Sequence, residues 1–236
     1  MGCVVLLAVG CTGMGTEANK QEQGRSPEPT ASEEARCAGT RTVDLLKSAG
    51  VSTVSDSSVQ PGDPEALTIT NDLPGCPNGG LLSGSDEADK LTGEDGEDEV
   101  RGLGAADMLS GGRGRDVVYG GPGDDELQGG GWLTSPPYTD RSKNTLYGGP
   151  GKDWLAGTEG DDVLYGGDGD DKMLWGGEGE DVLYGEDGND YFDAVEGTVK
   201  RPFRDTQRDE LYCGKGTDEY VAGRLDYVAS SCEVKK

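Results

Sequence analysis

Aspartates recur at a fixed interval through the middle of this chain. Asp89, Asp98, Asp107, Asp116 and Asp125 stand nine residues apart, and the spacing resumes through Asp153, Asp162 and Asp171 and then Asp181 and Asp190. Each closes a stretch of glycine and acid, such as GEDGED (93–98), GGPGDD (120–125) or GTEGDD (157–162). Carboxylates set among glycines, whose carbonyls no side chain shields, form an array of oxygen donors. A hard divalent cation takes about six to eight such oxygens in flexible geometry. Without a cation, the same charges repel one another or force carboxyl pKa values upward.

Such an array works only if the chain stacks it, and a second periodicity supplies the means. Two residues after each Asp comes a large apolar side chain: Leu91, Val100, Leu109, Val118, Leu127, then Leu146, Leu155, Leu164, Met173, Leu183 and Phe192. The Gly-rich six residues favour turns. The three that follow alternate outward, inward, outward, as a short strand does. One apolar residue per rung is too little to bury alone, so the rungs must stack into a thin continuous core. A fixed nonapeptide period of this kind predicts an all-β solenoid.

These nonapeptides, from GSDEADKLT (84–92) to GEDGNDYFD (185–193), resemble the calcium-binding repeats of the RTX, or haemolysin-type, family. The resemblance implies a right-handed parallel β-roll with two nonapeptides per turn. It also implies Ca²⁺ held between turns stacked on the same side, by sixth-position Asp carboxylates and loop carbonyls. Carried onto this chain, the metal residues are Asp98, Asp116, Asp125, Asp153, Asp162, Asp171, Asp181 and Asp190.

Alternation then predicts which loops share an ion. One side holds Asp89, Asp107, Asp125, Asp153, Asp171, Asp190 and Asp218; the other holds Asp98, Asp116, Asn144, Asp162, Asp181 and Asp209. The expected pairs are Asp125/Asp153, Asp153/Asp171, Asp171/Asp190, Asp98/Asp116 and Asp162/Asp181, which gives about five strong Ca²⁺ sites. Asn144 lacks the carboxylate, and GSDEADKLT and GLGAADMLS lack the fourth-position Gly, so sites touching them are expected to be weak. The same parity gathers Tyr119, Tyr147, Tyr165, Tyr184 and Tyr212 into one outward ladder beside Val117, Thr145, Val163, Val182 and Glu210. Stacked rings stabilise cross-strand neighbours, and an apolar face of this kind is also a candidate docking face for a protein, a glycan or a second copy. The opposite face, with Glu126, Gln128, Trp154, Ala156, Tyr191 and Asp193, reads as mixed.

Composition narrows the functions. The formal charge of −25, from 46 acids and 21 bases, disfavours nucleic acid and anionic membranes as partners. With no histidine, Ser-His-Asp and Cys-His catalysis and His-ligated zinc are excluded. The expectation is a non-enzymatic, extracellular or surface-tethered calcium-binding scaffold or adhesion protein. The alternative is a secreted glycan-active hydrolase with a carboxylate pair, whose roll assists export and folding.

The remaining segments fit export. Residues 1–16 form a leader in which Ala8-Val9-Gly10-Cys11 resembles a lipobox, with Cys11 the lipidated residue, and 17–36 form a polar linker. Residues 37–83 read as a small N-terminal cap with a strand over 67–70, and Leu82 falls in phase as a zeroth rung. Residues 84–193 form the roll, with an insertion at 130–143 that carries Trp132, Pro136, Pro137 and Tyr138. A second insertion, 194–208, is basic through Lys200, Arg201, Arg204 and Arg208, and 209–236 carry degenerate rungs and a C-terminal cap. Outside the leader the cysteines are Cys37, Cys76, Cys213 and Cys232. They allow about three connectivities; local pairing, Cys37–Cys76 and Cys213–Cys232, is favoured.

Overall fold

A computed structural model of the chain describes residues 40–42, 71–74, 79–130, 141–195 and 207–236, with the backbone alone of the first two segments. In chain order the strands are β1 (Thr40–Thr42), β2 (Asn71–Pro74), β3 (Leu81–Ser83), β4 (Asp89–Thr92), β5 (Glu99–Arg101) and β6 (Met108–Gly112). There follow β7 (Val117–Tyr119), β8 (Glu126–Gly130), β9 (Thr145–Pro150), β10 (Trp154–Glu159), β11 (Val163–Asp168) and β12 (Met173–Glu178). The last are β13 (Val182–Asp187), β14 (Tyr191–Asp193), β15 (Glu210–Tyr212), β16 (Glu219–Val221), β17 (Tyr227–Val228) and β18 (Val234–Lys235).

Every odd-numbered strand joins one 9-stranded sheet and every even-numbered strand the other, each in simple order. All pairings are parallel, and no helix occurs among the described residues. The chain is therefore an all-β parallel solenoid in which successive strands alternate between two facing sheets, the architecture of a β-roll. Between the sheets runs a single file of apolar side chains, from Leu82 through Leu91, Val100, Leu109 and onward to Phe192 and Leu211, all with at most 2% of their surface exposed. Leu82 pairs in register with Val100, as a zeroth rung should. The register also continues before it, since Leu73 of β2 sits opposite Leu91.

Three differences from the sequence expectation have physical causes. Met173 does not enter the core; Leu174 does, in register with Leu155. The rung that begins at Gly166 has one extra residue, Lys172, which bulges out as a bend before β12 and shifts the inward position by one. Next, strands β9 to β13 run six residues instead of three. Neighbouring rungs set their glycines side by side, as in Gly149↔Gly167, so pairing continues into the corner. Last, Gln128 and Ala156 are buried, not part of an exposed mixed face. Ala156 lies in register between the larger Gln128 and Trp175.

Both long insertions leave from the same kind of connection, from an even strand to the next odd one (β8 to β9 and β14 to β15). Across each, hydrogen-bonded partners stand 28 residues apart instead of 18. Trp132, Pro136, Pro137, Tyr138, Lys200, Arg201, Arg204, Cys11, Cys37, Cys76 and the strand expected over 67–70 lie outside the described residues.

The second position of most loops has a left-handed backbone, with φ of 104° at Gly121, 113° at Gly149 and 116° at Gly167. Leu103 (φ 90°), Thr158 (φ 91°) and Glu186 (φ 76°) occupy the same place with a side chain. Thr158 has a compensation, because its Oγ1 accepts a hydrogen bond from the Gly130 N–H at 3.1 Å. For Leu103 and Glu186 the left-handed cost of about 1–2 kcal/mol stands uncompensated. Leu103→Gly and Glu186→Gly should each stabilise the folded chain by about 1 kcal/mol in denaturant titrations with Ca²⁺ present. Thr158→Gly should give no such gain.

Candidate metal centre

Each sixth-position Asp follows a loop and precedes a strand, so stacking brings these residues into two columns, one along each edge of the roll. The sequence parity appears directly in their hydrogen bonds. Along one edge, the backbone N–H of Asp89 donates to Asp107 Oδ1, Asp107 to Asp125, Asp125 to Asp153, Asp153 to Asp171, Asp171 to Asp190 and Asp190 to Asp218, at 2.8–3.0 Å. Along the other, Asp98 donates to Asp116, Asp116 to Asn144, Asn144 to Asp162, Asp162 to Asp181 and Asp181 to Asp209, at 2.7–3.0 Å. One carboxylate oxygen therefore has a structural duty, to satisfy a buried amide of the neighbouring turn.

The other oxygen does not. In Asp98, Asp107, Asp125, Asp153, Asp162, Asp171, Asp190 and Asp218 the Oδ2 atom is buried and accepts no hydrogen bond. Except in Asp218, whose loop begins with Cys213, it lies over the first glycine of its own loop. A Cβ on Gly120, Gly148 or Gly166 would collide with Oδ2 of Asp125, Asp153 or Asp171 and with a carbonyl oxygen of the next turn on that side. Glycine is needed there to leave room for a cradle of oxygens.

A calcium ion fits this donor set. The atoms are oxygens only, carboxylate and carbonyl, as a hard cation requires. No three acidic or cysteine side chains close on one point among the described residues, so main-chain carbonyls must complete any shell that two carboxylates begin. Bound there, the ion supplies positive charge to groups that otherwise lack a partner.

Without that charge the carboxyls resist ionisation. Burial pushes Asp107 and Asp171 up to about 8, with the neighbouring carboxylates Asp125 and Asp89, and Asp190 and Asp153, adding to the effect. Burial likewise takes Asp125, Asp153 and Asp162 to about 7, and Asp98 and Asp190 to about 6, although backbone hydrogen bonds pull each part of the way back.

The structure also separates sites that look alike in sequence. Asp89 Oδ2 accepts from Ser85 N at 2.6 Å and Ser85 Oγ at 3.0 Å, so this first loop satisfies its own carboxylate. Asn144 keeps the structural duty through Oδ1, but its other atom is the donor Nδ2, which reaches Ser142 O at 3.4 Å. Asp107 shares the full geometry, and Asp218 shares the accepted hydrogen bond and the buried Oδ2 in a loop that begins with Cys213; neither is in the ligand set expected from the sequence. GLGAAD lacks its fourth glycine, yet Ala105 takes the left-handed φ of 65° that glycine would. A further ladder went unread. Fifth-position acids accept from the amides of the following turn: Lys152 N to Asp124 at 3.0 Å, Glu180 N to Asp161 at 3.0 Å and Asn189 N to Asp170 at 3.1 Å. Its signal was the Asp-Asp doublet at 124–125, 161–162 and 170–171.

Of the four cysteines outside the leader, Cys213 and Cys232 form a disulfide. Cys213 takes the first-position place of glycine, at the buried end of the core. The five tyrosines stack as a ladder from Tyr119 to Tyr212, with ring centroids 4.8–5.0 Å apart and planes within 13°. Tyr227 adds a tilted sixth ring at 51°.

The carboxyl shifts set a pH dependence. A folded-state pKa above the ordinary value near 3.8 favours the protonated fold. That contribution is complete below the ordinary value and is lost as pH rises through about 6 to 8. In chelator, the melting temperature followed by circular dichroism should therefore fall steadily from pH 5 to pH 8, and saturating Ca²⁺ should abolish the fall. A chelated protein that grows more stable over that range would contradict the buried, uncompensated carboxylates.

A family model described as the RTX calcium-binding nonapeptide repeat matches four segments, residues 81–109, 101–131, 147–174 and 173–198. The break between the second and third copies falls on the first insertion. No curated protein and no solved structure matches the chain. Family match, nine-residue period and parallel roll agree, and the chain is an RTX-type calcium-binding nonapeptide repeat protein.

Proposed function

We propose that this protein is a secreted or surface-tethered, non-catalytic scaffold that folds when it binds calcium. The observation that carries the reading is the set of buried Oδ2 atoms without a hydrogen-bond donor. The proposed ligands are Asp98, Asp116, Asp125, Asp153, Asp162, Asp171, Asp181 and Asp190, and geometry adds Asp107 and Asp218 to them. In low calcium these carboxylates, in a chain of charge −25, oppose compaction. At extracellular calcium their repulsion is offset, the turns order, and ion binding becomes folding free energy. Export before folding follows from that sign.

The N-terminal leader and polar linker belong to the same reading. Lipidation at Cys11 would tether the roll to a membrane at the end of a flexible spacer. The caps at 37–83 and 209–236 would close the ends of the solenoid, where Cys37–Cys76 and Cys213–Cys232 each staple one of them.

The tyrosine ladder is the proposed contact surface. Between the Glu99–Arg101 and Arg208–Glu210 ion pairs, its strip of the odd-numbered sheet carries only Val117, Thr145, Val163 and Val182 beside the rings. Each inner ring is stacked on both sides, so the strip offers ring edges and hydroxyls, which suit another protein surface better than the face of a sugar.

Two measurements test this function. Far-UV circular dichroism of residues 37–236 should show a cooperative gain of β signal with Ca²⁺ near millimolar concentration and none with Mg²⁺. A spectrum already folded in chelator and indifferent to Ca²⁺ would sink coupled folding. Separately, Tyr147→Ser with Tyr165→Ser should leave calcium-dependent folding intact and reduce self-association in sedimentation runs. Loss of stability without any change in association would assign the ladder to sheet stabilisation alone.

A further inference from the structure

Lys172 is a single-residue departure from the nonapeptide that neither the calcium columns nor the core explains. It makes the rung that starts at Gly166 one residue longer than its uninterrupted neighbours and places a bend between Asp171 and Met173. The cost is visible in the backbone. The amide after each sixth-position Asp bonds the carbonyl of the Asp one turn back at 2.8–3.0 Å, but after the bulge Tyr191 N reaches Asp171 O only at 3.3 Å. Single-residue bulges re-aim side chains and gather beside functional sites. In this one, Met173 takes the strand place opposite Trp154, and Lys172 is turned out to solvent at the rim of the adjoining cleft.

That cleft has a volume of about 610 Å³ and is lined by Ala106, Asp107, Asp124, Asp125, Glu126, Trp154 and Lys172. Asp107 and Asp125 are its floor and belong to the calcium column. The remaining groups are an indole, two carboxylates and an ammonium. Gln128, itself buried, hydrogen-bonds the Glu126 carboxyl and fixes its position. Unlike the tyrosines of the other sheet, Trp154 stacks on no aromatic ring among the described residues.

We propose that this cleft is a carbohydrate-binding subsite for one or two pyranose units of a non-anionic glycan. The volume lies in the range of small-molecule sites, about 300–1,000 Å³. An indole receives the apolar face of a pyranose, as amphipathic rings do at interfaces. Around it, Glu126 and Asp124 accept hydrogen bonds from sugar hydroxyls and Lys172 donates to them. Charge sets the specificity. Two carboxylates against one ammonium, on a chain of charge −25, repel uronic acids and sulfated sugars and admit neutral ones. Binding here involves no reaction, and it is separate from the tyrosine strip on the opposite sheet.

The test uses the full calcium-loaded chain with cellohexaose and chitohexaose as probes and a galacturonate oligomer as the anionic control. Binding is read by calorimetry and by tryptophan fluorescence. The neutral hexasaccharides should bind and the galacturonate should not. Trp154→Ala should weaken binding at least about tenfold with an unchanged circular dichroism spectrum, while Trp175→Ala should not. Deletion of Lys172, which restores the nine-residue rung, should weaken binding while holding or raising the melting temperature in Ca²⁺. If Trp154→Ala disturbs folding, protection of Trp154 from acrylamide quenching by the bound sugar, in a chain carrying Trp132→Phe and Trp175→Phe, replaces it as the readout. Absence of binding to either neutral probe at millimolar concentration, or full affinity in the Lys172 deletion, overturns the subsite.

Discussion

The two oxygens of one carboxylate carry this structure. At the sixth position Oδ1 is committed to a buried amide of the neighbouring turn, and in Asp98, Asp107, Asp125, Asp153, Asp162, Asp171 and Asp190 the Oδ2 is left in a glycine cradle without a hydrogen bond. The first of these is a fold contact that any Asp or Asn can make, and Asn144 makes it. The second is a standing deficit, because a buried charge without a partner is expensive. Each of these turns therefore both defines the roll and destabilises it until a cation or a proton arrives. Much else follows from keeping that deficit small. Glycine holds the first position so that the oxygen has room, and the core is one side chain wide because the loops cannot contribute apolar surface.

The protein supplies part of the missing charge itself. Arg113 pairs with Asp95, Arg115 with Glu97, Lys152 with Asp170 and Lys215 with Asp187, each across one turn on the outside of the loops. These pairs are exposed, so each contributes little alone. None of them reaches the buried oxygens, which leaves the inner columns dependent on what enters from solution.

Much of this was legible in the sequence. The period fixed the solenoid class, because an apolar residue at every ninth place has no other use in a chain so poor in hydrophobic residues. Parity predicted both aspartate columns and the tyrosine ladder, since alternation between two sheets follows from counting rungs. Reading failed where one residue changed the count. Nothing in GGDGDDKMLW declares whether Met173 or Leu174 turns inward, as both are apolar and the choice depends on where the bulge relaxes. The burial of Gln128 depends on neighbours brought close by register. The fifth-position ladder was hidden because its acids look like ordinary solvated charge, and their backbone partners lie a full turn away.

The two long insertions share one edge of the roll. They leave it beside Asn144 and beside Asp209, three steps apart in the same hydrogen-bonded column. At about 4.8 Å per step, their roots are held about 14 Å apart whatever sequence the insertions contain. Between Asp89 and Asp218 the opposite edge departs in length from the repeat only by the single Lys172. The solenoid thus works as a ruler with a permissive margin and a strict one. Segments grafted at the permissive margin change what is displayed while the spacing between them stays constant.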